Sequence, residues 1–281
     1  MQTLRVLVLS LFVVSSASAG PQPPPVVGGT KAKHGDWPDV VAVIGEQGSC
    51  SGTLIAPDVV LTAGHCIYIE PKFVIANTVD FAQVIGPGQR IPVKWSRAYP
   101  NWEDRYDIGV IMLDHVATWR PRAIATACLA NKLLSELRPV TVVGFGLTSP
   151  TGTDDNTELH QAVVPVLDPL CGSDPSCNPD ARPNGEFTAG GRGTDSCMGD
   201  SGGPAMIKTP SGPALVGVVS RGLALPGLPC GNGGVYVRAD KVVSWIESVT
   251  GRDLERVACD RPADDPEAEP EEAGGGCSAG G

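Results

Sequence analysis

Short runs of aliphatic and β-branched residues, separated by Gly, Pro, Asn and Asp, dominate the pattern of apolar and polar positions. Runs of this kind are typical of β-strands. They cover residues 40–44, 53–55, 59–62, 73–75, 108–113, 140–143, 162–166, 205–207, 215–219 and 235–237. Helical patterns of about 10–15 residues do not alternate with them, which argues against a parallel α/β sheet. An all-β fold remains, either two antiparallel barrels or a sandwich.

One segment near residue 250 has the spacing of a helix. Apolar residues recur at that spacing between residues 242 and 249, with Asp240 in position to cap the start and Gly251 after the end. Residues 117–139 show neither the strand nor the helix pattern clearly. We interpret them as the connection between two halves of the structure.

The chain begins like a secretory precursor. Arg5 precedes an apolar run over residues 6–14, and small residues follow up to the pattern Ala17-x-Ala19. This arrangement predicts a signal peptide over residues 1–19 and a secreted, extracellular protein. The run is too short to cross a bilayer and no other stretch approaches that length, so we expect no membrane span. A Pro-rich segment, 20–25, follows the predicted cleavage site.

The composition changes again after residue 250. Acidic residues dominate the stretch 264–272, and we interpret residues 251–281 as a disordered acidic tail rich in Gly and Pro. Three glycines and Cys277 then resemble the start of a bacterial cell-surface sorting signal, although no apolar segment follows in this sequence. Surface attachment through the tail is therefore an alternative to a flexible tail without such a role.

Charge and cysteine content narrow the function further. The 281 residues carry a formal net charge of −10 without a cluster of Lys or Arg, which argues against nucleic acid as a partner. Nine cysteines favour an oxidising compartment. None of the four histidines has the spacing of a zinc-peptidase helix, and we expect neither a metal nor a cofactor.

The most distinctive stretch is Gly199-Asp200-Ser201-Gly202-Gly203-Pro204. Glycines adopt backbone angles that other residues avoid and let main-chain N–H groups approach a ligand, so a serine among them can present its hydroxyl. A predicted strand follows instead of a helix, which excludes the nucleophile elbow of α/β-hydrolases. Taken alone, the pattern favours a Gly-rich turn. His65 and Asp107 each lie beside a predicted strand, and either one alone would more often be a structural polar residue.

Several motifs in a fixed order change this interpretation. Over about residues 26–250 the chain resembles the chymotrypsin/trypsin family of serine peptidases. The resemblance rests on Val26-Val27-Gly28-Gly29, Trp37-Pro38, Cys50-Ser51-Gly52-Thr53-Leu54-Ile55, Leu61-Thr62-Ala63-Gly64-His65-Cys66, Asp107-Ile108, Gly144-Phe145-Gly146, the run from Asp195 to Pro204, and Gly234-Val235-Tyr236. It implies two six-stranded antiparallel β-barrels with the active site between them, a C-terminal helix, and a monomer acting on proteins or peptides.

The resemblance also assigns roles to individual residues. Ser201 would be the nucleophile, His65 the general base and Asp107 the group that orients His65, while the N–H groups of Gly199 and Ser201 would bind the oxyanion. Asp195 would lie at the base of the primary specificity pocket and select Arg or Lys, because an uncharged substrate side chain would leave its carboxylate unpaired. A solvated loop aspartate is the alternative interpretation of Asp195.

Further family positions concern substrate binding. Gly222 and Gly234 align with the glycines that keep the specificity pocket open, and the backbone of Ser220 would pair with the substrate as an added strand. Arg221 replaces the tryptophan usual after that serine. We therefore expect altered subsites beyond the primary pocket, with a preference for acidic groups.

The resemblance further implies a zymogen. Asp200 would pair with the α-amino group of Val26, released when the pro-segment 20–25 is removed. Pro25 stands where tryptic activation requires Arg or Lys, so a different peptidase must act or activation must differ.

The family pattern also pairs most of the cysteines. It implies three disulfides, Cys50 with Cys66, Cys197 with Cys230, and Cys171 with Cys177. It leaves Cys128, Cys259 and Cys277 open; a bond between Cys128 and Cys259 would tether the tail, and Cys277 would then be unpaired.

We therefore expect a secreted serine endopeptidase that cleaves after Arg or Lys. An inactive, protease-like binding protein and a peptidase of non-tryptic specificity are the alternatives. The presence of Ser201, His65 and Asp107 together argues against the inactive one.

Overall fold

The computed structural model describes residues 27–83, 89–153, 155–172, 174–223, 226 and 228–259. The predicted signal peptide, the pro-segment, Val26, the tail from residue 260 and Cys277 lie outside the described residues.

The first half of the chain forms a closed antiparallel barrel with the strand order β2-β3-β4-β7-β6-β5. The strands are β1 (Thr30–Lys31), β2 (Val40–Gly45), β3 (Gly48–Ala56), β4 (Val59–Thr62), β5 (Pro71–Ala76), β6 (Gln89–Ala98) and β7 (Gly109–Leu113). The short strand β1 pairs outside the barrel, with β10 (His160–Asp168) of the second half. A 3₁₀ helix, His65–Ile69, follows β4.

The second half forms another barrel, in which β12 pairs with both β9 and β13 and so closes the sheet. The barrel consists of β9 (Pro139–Gly144), β10, β11 (Glu186–Ala189), β14 (Gly234–Arg238), β13 (Gly212–Gly222) and β12 (Pro204–Thr209). Two short strands, β8 (Ile124–Ala125) and β15 (Arg256–Val257), are attached to it. Strand β8 lies parallel to β13, and β15 lies parallel to β8. The two six-stranded barrels confirm the expected fold class and exclude a sandwich.

The continuous apolar runs of the sequence reflect two adjacent cores. In β2, Val41 and Val43 point into the core of the first barrel. Val40 and Ala42, on the opposite face of the strand, pack with Val143 of the second barrel. Because both faces of β2 are covered, polar residues do not alternate with apolar ones, and the strand appears as an unbroken run.

Among the described residues there are two α-helices, α1 (Ala127–Leu133) and α2 (Val243–Thr250). Helix α2 confirms the helical spacing and ends at Gly251, whose φ of 65° is left-handed. The expected cap is wrong: Asp240 lies in a preceding 3₁₀ helix and binds Arg238 through both carboxylate oxygens. None of the described helices is long and apolar enough to span a membrane.

The ordered body extends beyond the predicted boundary at residue 250. Leu254 is buried in the core, Arg256 and Val257 pair with β8, and Cys259 forms a disulfide with Cys128. The interpretation of residues 251–259 as disordered is therefore wrong. Charged residues interrupt the short apolar pattern of this stretch, so the sequence does not predict a strand there. Pairing with the second barrel is what makes it a strand.

Candidate active site

Strand β3 links the two barrels at the site through two consecutive residues. Cys50 is bonded to Cys66, the neighbour of His65. Ser51 reaches the other barrel: its N–H donates to the carbonyl of Ser201 at 2.8 Å, and its hydroxyl donates to the carbonyl of Gly199, also at 2.8 Å. The segments carrying His65 and Ser201 are thus both attached to adjacent positions of one strand. The function of Ser51 was missed from the sequence, although it lies within a family motif.

His65 and Asp107 meet because their strands are antiparallel neighbours. Thr62, at the end of β4, lies opposite Gly109, at the start of β7. His65 follows shortly after β4 and Asp107 comes shortly before β7, so both lie at the same edge of the barrel. The Nδ1 atom of His65 lies 2.8 Å from Oδ2 of Asp107, and the backbone N–H of His65 donates to Oδ1 at 2.9 Å. An ionised carboxylate accepts only, so Nδ1 carries the proton and Nε2 is left as the base.

Asp107 is buried, yet its charge is stabilised. Burial alone would raise the pKa of this carboxyl group, but hydrogen bonds from His65 and from the hydroxyl of Ser220 outweigh it and leave the pKa below its ordinary value. The Ser220 hydroxyl donates to Oδ2 of Asp107 across 2.6 Å. Asp107 therefore remains a carboxylate able to orient a neighbouring imidazole.

The loop of Ser201 packs directly against the strand that precedes His65. Gly202 has a φ of +80°, and a Cβ there would lie 2.0 Å from Oγ1 of Thr62 and 2.4 Å from the carbonyl oxygen of Ser51. Only glycine fits this close approach. Within the described part of the chain, no acceptor binds the backbone N–H of Gly199 or Ser201. Both groups can therefore donate to a ligand oxygen.

A cavity of about 220 Å³ opens beside Ser201. Its walls include the C-terminal end of β13 and the Cys197–Cys230 disulfide. The lining residues are Ser196, Cys197, Met198, Ser201, Val219, Ser220, Arg221, Gly222, Pro229 and Cys230. Ser220 and Gly222 thus lie where the sequence placed them, while Gly234 lies beneath the wall, 3.6 Å from Asp195 Oδ1 when measured from an added Cβ.

Asp195 is fully buried under this cavity and is absent from its lining. Its carboxylate accepts backbone N–H groups from Ser196 at 2.8 Å, Gly233 at 2.9 Å and Gly231 at 3.2 Å. Burial outweighs these bonds and raises the pKa of Asp195 to about 6. The alternative of a solvated loop aspartate is therefore wrong.

Asp200 is a second buried carboxyl group. Among the described residues it accepts hydrogen bonds only from the backbone N–H groups of Gly146, at 2.8 Å, and Cys197, at 2.9 Å. Burial raises its pKa to about 7. Its expected partner, Val26, lies outside the described residues, while the next residue, Val27, is buried against the Cys197–Cys230 disulfide.

Arg221 does not present its charge to a substrate. All five of its N–H donors are used within the protein, by both carboxylate oxygens of Glu186, twice by the carbonyl of Ser176, and by the hydroxyl of Ser220. Glu186 is completely buried and neutralises the guanidinium. The argument for a preference for acidic substrate groups therefore loses its basis, because a buried glutamate that the sequence did not connect with Arg221 already pairs with its guanidinium.

Four disulfides form within the described residues. They join Cys50 to Cys66, Cys128 to Cys259, Cys171 to Cys177, and Cys197 to Cys230. Two groups of potential metal ligands, Cys50 with His65 and Cys66, and Cys171 with Cys177 and Glu186, consist mostly of these bonded cysteines. Disulfide sulfurs are not thiolates, so neither group has the chemistry of a metal site.

Comparison with known proteins agrees with this geometry. The family model described as Trypsin matches residues 26–246. The chain belongs to the chymotrypsin/trypsin family of serine peptidases. Membership in this family identifies the protein as a serine protease, which is a hydrolase. The matched range contains all the site residues described above.

Three relatives illustrate the breadth of this family. Chymotrypsin-like elastase family member 1 of Felis catus is 30% identical over 262 residues, covering 88% of this chain and 98% of that protein. A trypsin of Saccharopolyspora erythraea is 32% identical over 228 residues, covering 76% and 92%. The human chymotrypsin-like elastase family member 1 is 30% identical over 241 residues, covering 80% and 92%.

Proposed function

We propose that the protein is a secreted serine endopeptidase that hydrolyses peptide bonds after Arg or Lys. The observation that carries the proposal is the 2.8 Å contact between Nδ1 of His65 and Oδ2 of Asp107, beside the cavity that Ser201 lines. A buried carboxylate, an imidazole and a serine hydroxyl in one cleft are the parts needed to activate a weak nucleophile.

In the proposed reaction, Nε2 of His65 removes the proton of the Ser201 hydroxyl as its oxygen attacks the substrate carbonyl. His65 then gives that proton to the leaving amine, and Asp107 stabilises the imidazolium in between. The N–H groups of Gly199 and Ser201 bind the oxyanion, each contributing about 3 kcal/mol in the transition state. Water releases the acyl group from Ser201 in the reverse sequence of proton transfers.

The preference for Arg or Lys is inferred from Asp195. Among the described residues its carboxyl group accepts only backbone N–H groups and has no cationic partner, and burial makes its ionised form costly. A guanidinium or ammonium group entering the cavity would compensate that charge, whereas an apolar side chain would not. A basic substrate side chain would therefore provide the cationic partner that Asp195 lacks.

Non-tryptic specificity is the second candidate, and a specific observation favours it. Ser196 lines the cavity while Asp195 does not, and three backbone N–H groups already bind the Asp195 carboxylate. If the carboxylate stays covered when substrate enters, small or apolar side chains bind equally well. Two of the relatives named above are elastases, which is consistent with this alternative.

Hydrolysis of matched chromogenic peptides tests both candidates. The protein beginning at Val26 is assayed on substrates that differ only in Arg, Lys, Ala or Phe before the scissile bond, with Ser201→Ala as the control. Arg and Lys cleavage that disappears in Ser201→Ala supports the proposal. Faster cleavage after Ala or Phe supports the second candidate. No cleavage, together with no labelling of Ser201 by an organophosphonate, supports an inactive binding protein.

Secretion and zymogen activation form part of the proposal. The signal peptide pattern over 1–19 and the four disulfides support export to an oxidising compartment. The buried Asp200, with its raised pKa, supports a requirement for a cationic partner, which removal of residues 20–25 would supply as the α-amino group of Val26. N-terminal sequencing of the active, exported protein tests both steps.

The partners in this proposal are protein or peptide substrates of a monomer that binds no nucleic acid. The acidic net charge of −10 supports the latter expectation. Attachment to a cell surface through the tail is the alternative to free secretion. Fractionation of a producing culture, with a variant ending at Cys259 as control, distinguishes the two.

A further inference from the structure

We propose that Arg221 is a positioning residue that fixes the proton of the Ser220 hydroxyl on Asp107 and thereby holds the carboxylate that orients His65. The inference rests on the proposed function, since it concerns the same reaction. It assigns a role to the residue that departs most clearly from the resembled family.

A bulge in β13 makes the contact possible. The register between β13 and β14 shifts between Val219 and Arg221, so Ser220 is the extra residue. Neighbouring side chains in a regular strand point to opposite faces, whereas a bulge re-aims one of them. Here Nη1 of Arg221 lies 2.9 Å from Oγ of Ser220, the residue immediately before it.

The direction of the hydrogen bonds follows from the chemistry of the groups. A guanidinium can only donate, so Ser220 Oγ must accept from Arg221. The single proton of that hydroxyl is then committed to another acceptor, and Oδ2 of Asp107 lies 2.6 Å away. A hydroxyl without the guanidinium could rotate and donate elsewhere, leaving Asp107 with one fixed donor fewer.

The guanidinium itself is held from the opposite side. Glu186 accepts two hydrogen bonds from it, at 3.0 and 2.9 Å, and the carbonyl of Ser176 accepts two more, at 2.9 and 2.7 Å. Glu186 also accepts the N–H of Asn178 at 2.7 Å. A planar fork bound in this way cannot rotate toward solvent.

These contacts form one continuous series from Glu186 through Arg221, Ser220 and Asp107 to His65. The titratable or charged groups that face Asp107 directly or through Ser220 are His65 and Arg221, and Glu186 neutralises the charge of Arg221. The pair of Arg221 and Glu186 is neutral overall. It therefore acts on Asp107 by orienting the Ser220 hydroxyl and not by adding a net charge.

A double-mutant cycle tests the inference. Arg221→Gln combined with Glu186→Gln removes the donation to Ser220 without leaving a buried charge. We expect kcat on the best peptide substrate to fall about fivefold, the effect of one lost hydrogen bond, with KM nearly constant. In a Ser220→Ala background the same pair of substitutions should cause no further loss, because Arg221 then has no hydroxyl to orient. An equal loss in both backgrounds, or no loss in the parent, overturns the inference.

A matched pair controls for the general cost of removing buried ions. Arg122 and Asp39 form a similar bidentate, largely buried bridge. Arg122→Gln with Asp39→Asn should lower stability without changing kcat or its coupling to Ser220→Ala. If the Arg221 pair fails to fold, Arg221→Lys replaces it, because an ammonium retains the charge beside Glu186 but lacks the planar fork.

A spectroscopic measurement separates this inference from the proposed function. We expect the proton in the 2.8 Å hydrogen bond between His65 Nδ1 and Asp107 to give a low-field ¹H resonance whether or not a substrate is cleaved. We expect its position to move when Arg221 no longer orients Ser220, and an unchanged resonance overturns the inference. An inactive parent protein would instead refute the proposed function.

Discussion

The backbone N–H of Asp195 donates to the carbonyl oxygen of Val27 across 2.9 Å. Val27 is buried, and its side chain packs against the Cys197–Cys230 disulfide that borders the cavity. The residue after the proposed activation site is therefore bonded directly to the residue proposed to read the substrate. The proposed processing before Val26 would therefore act next to contacts that also border the cavity.

A free α-amino group at Val26 should raise activity. The protein beginning at Val26 is expected to show kcat/KM about a hundredfold above that of the same protein with one alanine added before Val26, because the buried Asp200 carboxylate then gains a cation. Steady-state kinetics on an Arg peptide measure the ratio, and circular dichroism checks that both forms are folded. Equal activities would show that Asp200 needs no such partner.

The preference for Arg should depend on pH through Asp195. The folded pKa of about 6 lies above the ordinary value. Between those two values the folded protein retains a proton that the unfolded chain has lost, so rising pH lowers stability until about pH 6. Only the ionised carboxylate attracts a guanidinium. The ratio of kcat/KM for Arg over Ala substrates should therefore increase with pH and level off above about 6.

Taking this ratio removes the titration of groups that affect both substrates equally. In Asp195→Ser the ratio should be low and independent of pH, with a loss on Arg substrates of about two orders of magnitude or more. A parent ratio that stays constant from acidic to alkaline pH would remove Asp195 from the specificity pocket.

Gly202→Ala should lower the catalytic activity more than it lowers the stability of the folded protein. The added methyl would collide with Thr62 and with the carbonyl of Ser51, and it would displace Ser201 relative to His65. We expect kcat/KM to fall about a hundredfold, as for a displacement of about 1 Å at a reacting atom. Gly212→Ala is the matched control, because Gly212 also has a positive φ but has open space around it. A similar kinetic loss in both variants would contradict the steric explanation.

The Cys128–Cys259 disulfide should contribute substantially to stability. It joins residues 131 positions apart, and a loop of that length corresponds to about 5 kcal/mol in the chain-entropy model. Cys128→Ser with Cys259→Ser should lower the free energy of unfolding by about that amount, measured in guanidinium chloride. Cys277→Ser should leave the unfolding midpoint unchanged. A lower midpoint for Cys277→Ser instead would reveal a different pairing.

The sequence predicts the strands that form continuous apolar runs and misses strands whose runs contain charged residues. Val59–Thr62 is continuous and apolar, and its predicted limits match β4. Strand Gln89–Ala98 carries Arg90, Lys94 and Arg97 and a proline, so its half-exposed pattern does not form an apolar run. Strand Glu186–Ala189 was missed because it starts with a buried charge, which only its distant partner Arg221 compensates.

The same limit applies to the site. Local motifs pointed to His65, Asp107 and Ser201, and the antiparallel strands explain why His65 and Asp107 meet. The covering of Asp195 and the neutralisation of Arg221 depend on residues far away along the chain. The type of a residue predicts which kind of partner it needs. The fold decides whether that partner comes from the protein itself or from a substrate.

Cys50 and Ser51 attach the segments of His65 and Ser201 to adjacent residues of strand β3. A hinge-like motion of one barrel against the other would ordinarily separate a nucleophile from its base. Here the disulfide of Cys50 and the hydrogen bonds of Ser51 secure both loops to a single peptide unit. When the two barrels move relative to each other, the Ser201 and His65 segments would then move together. We expect the distance between them to vary little, even where the rest of the cleft opens to admit a polypeptide.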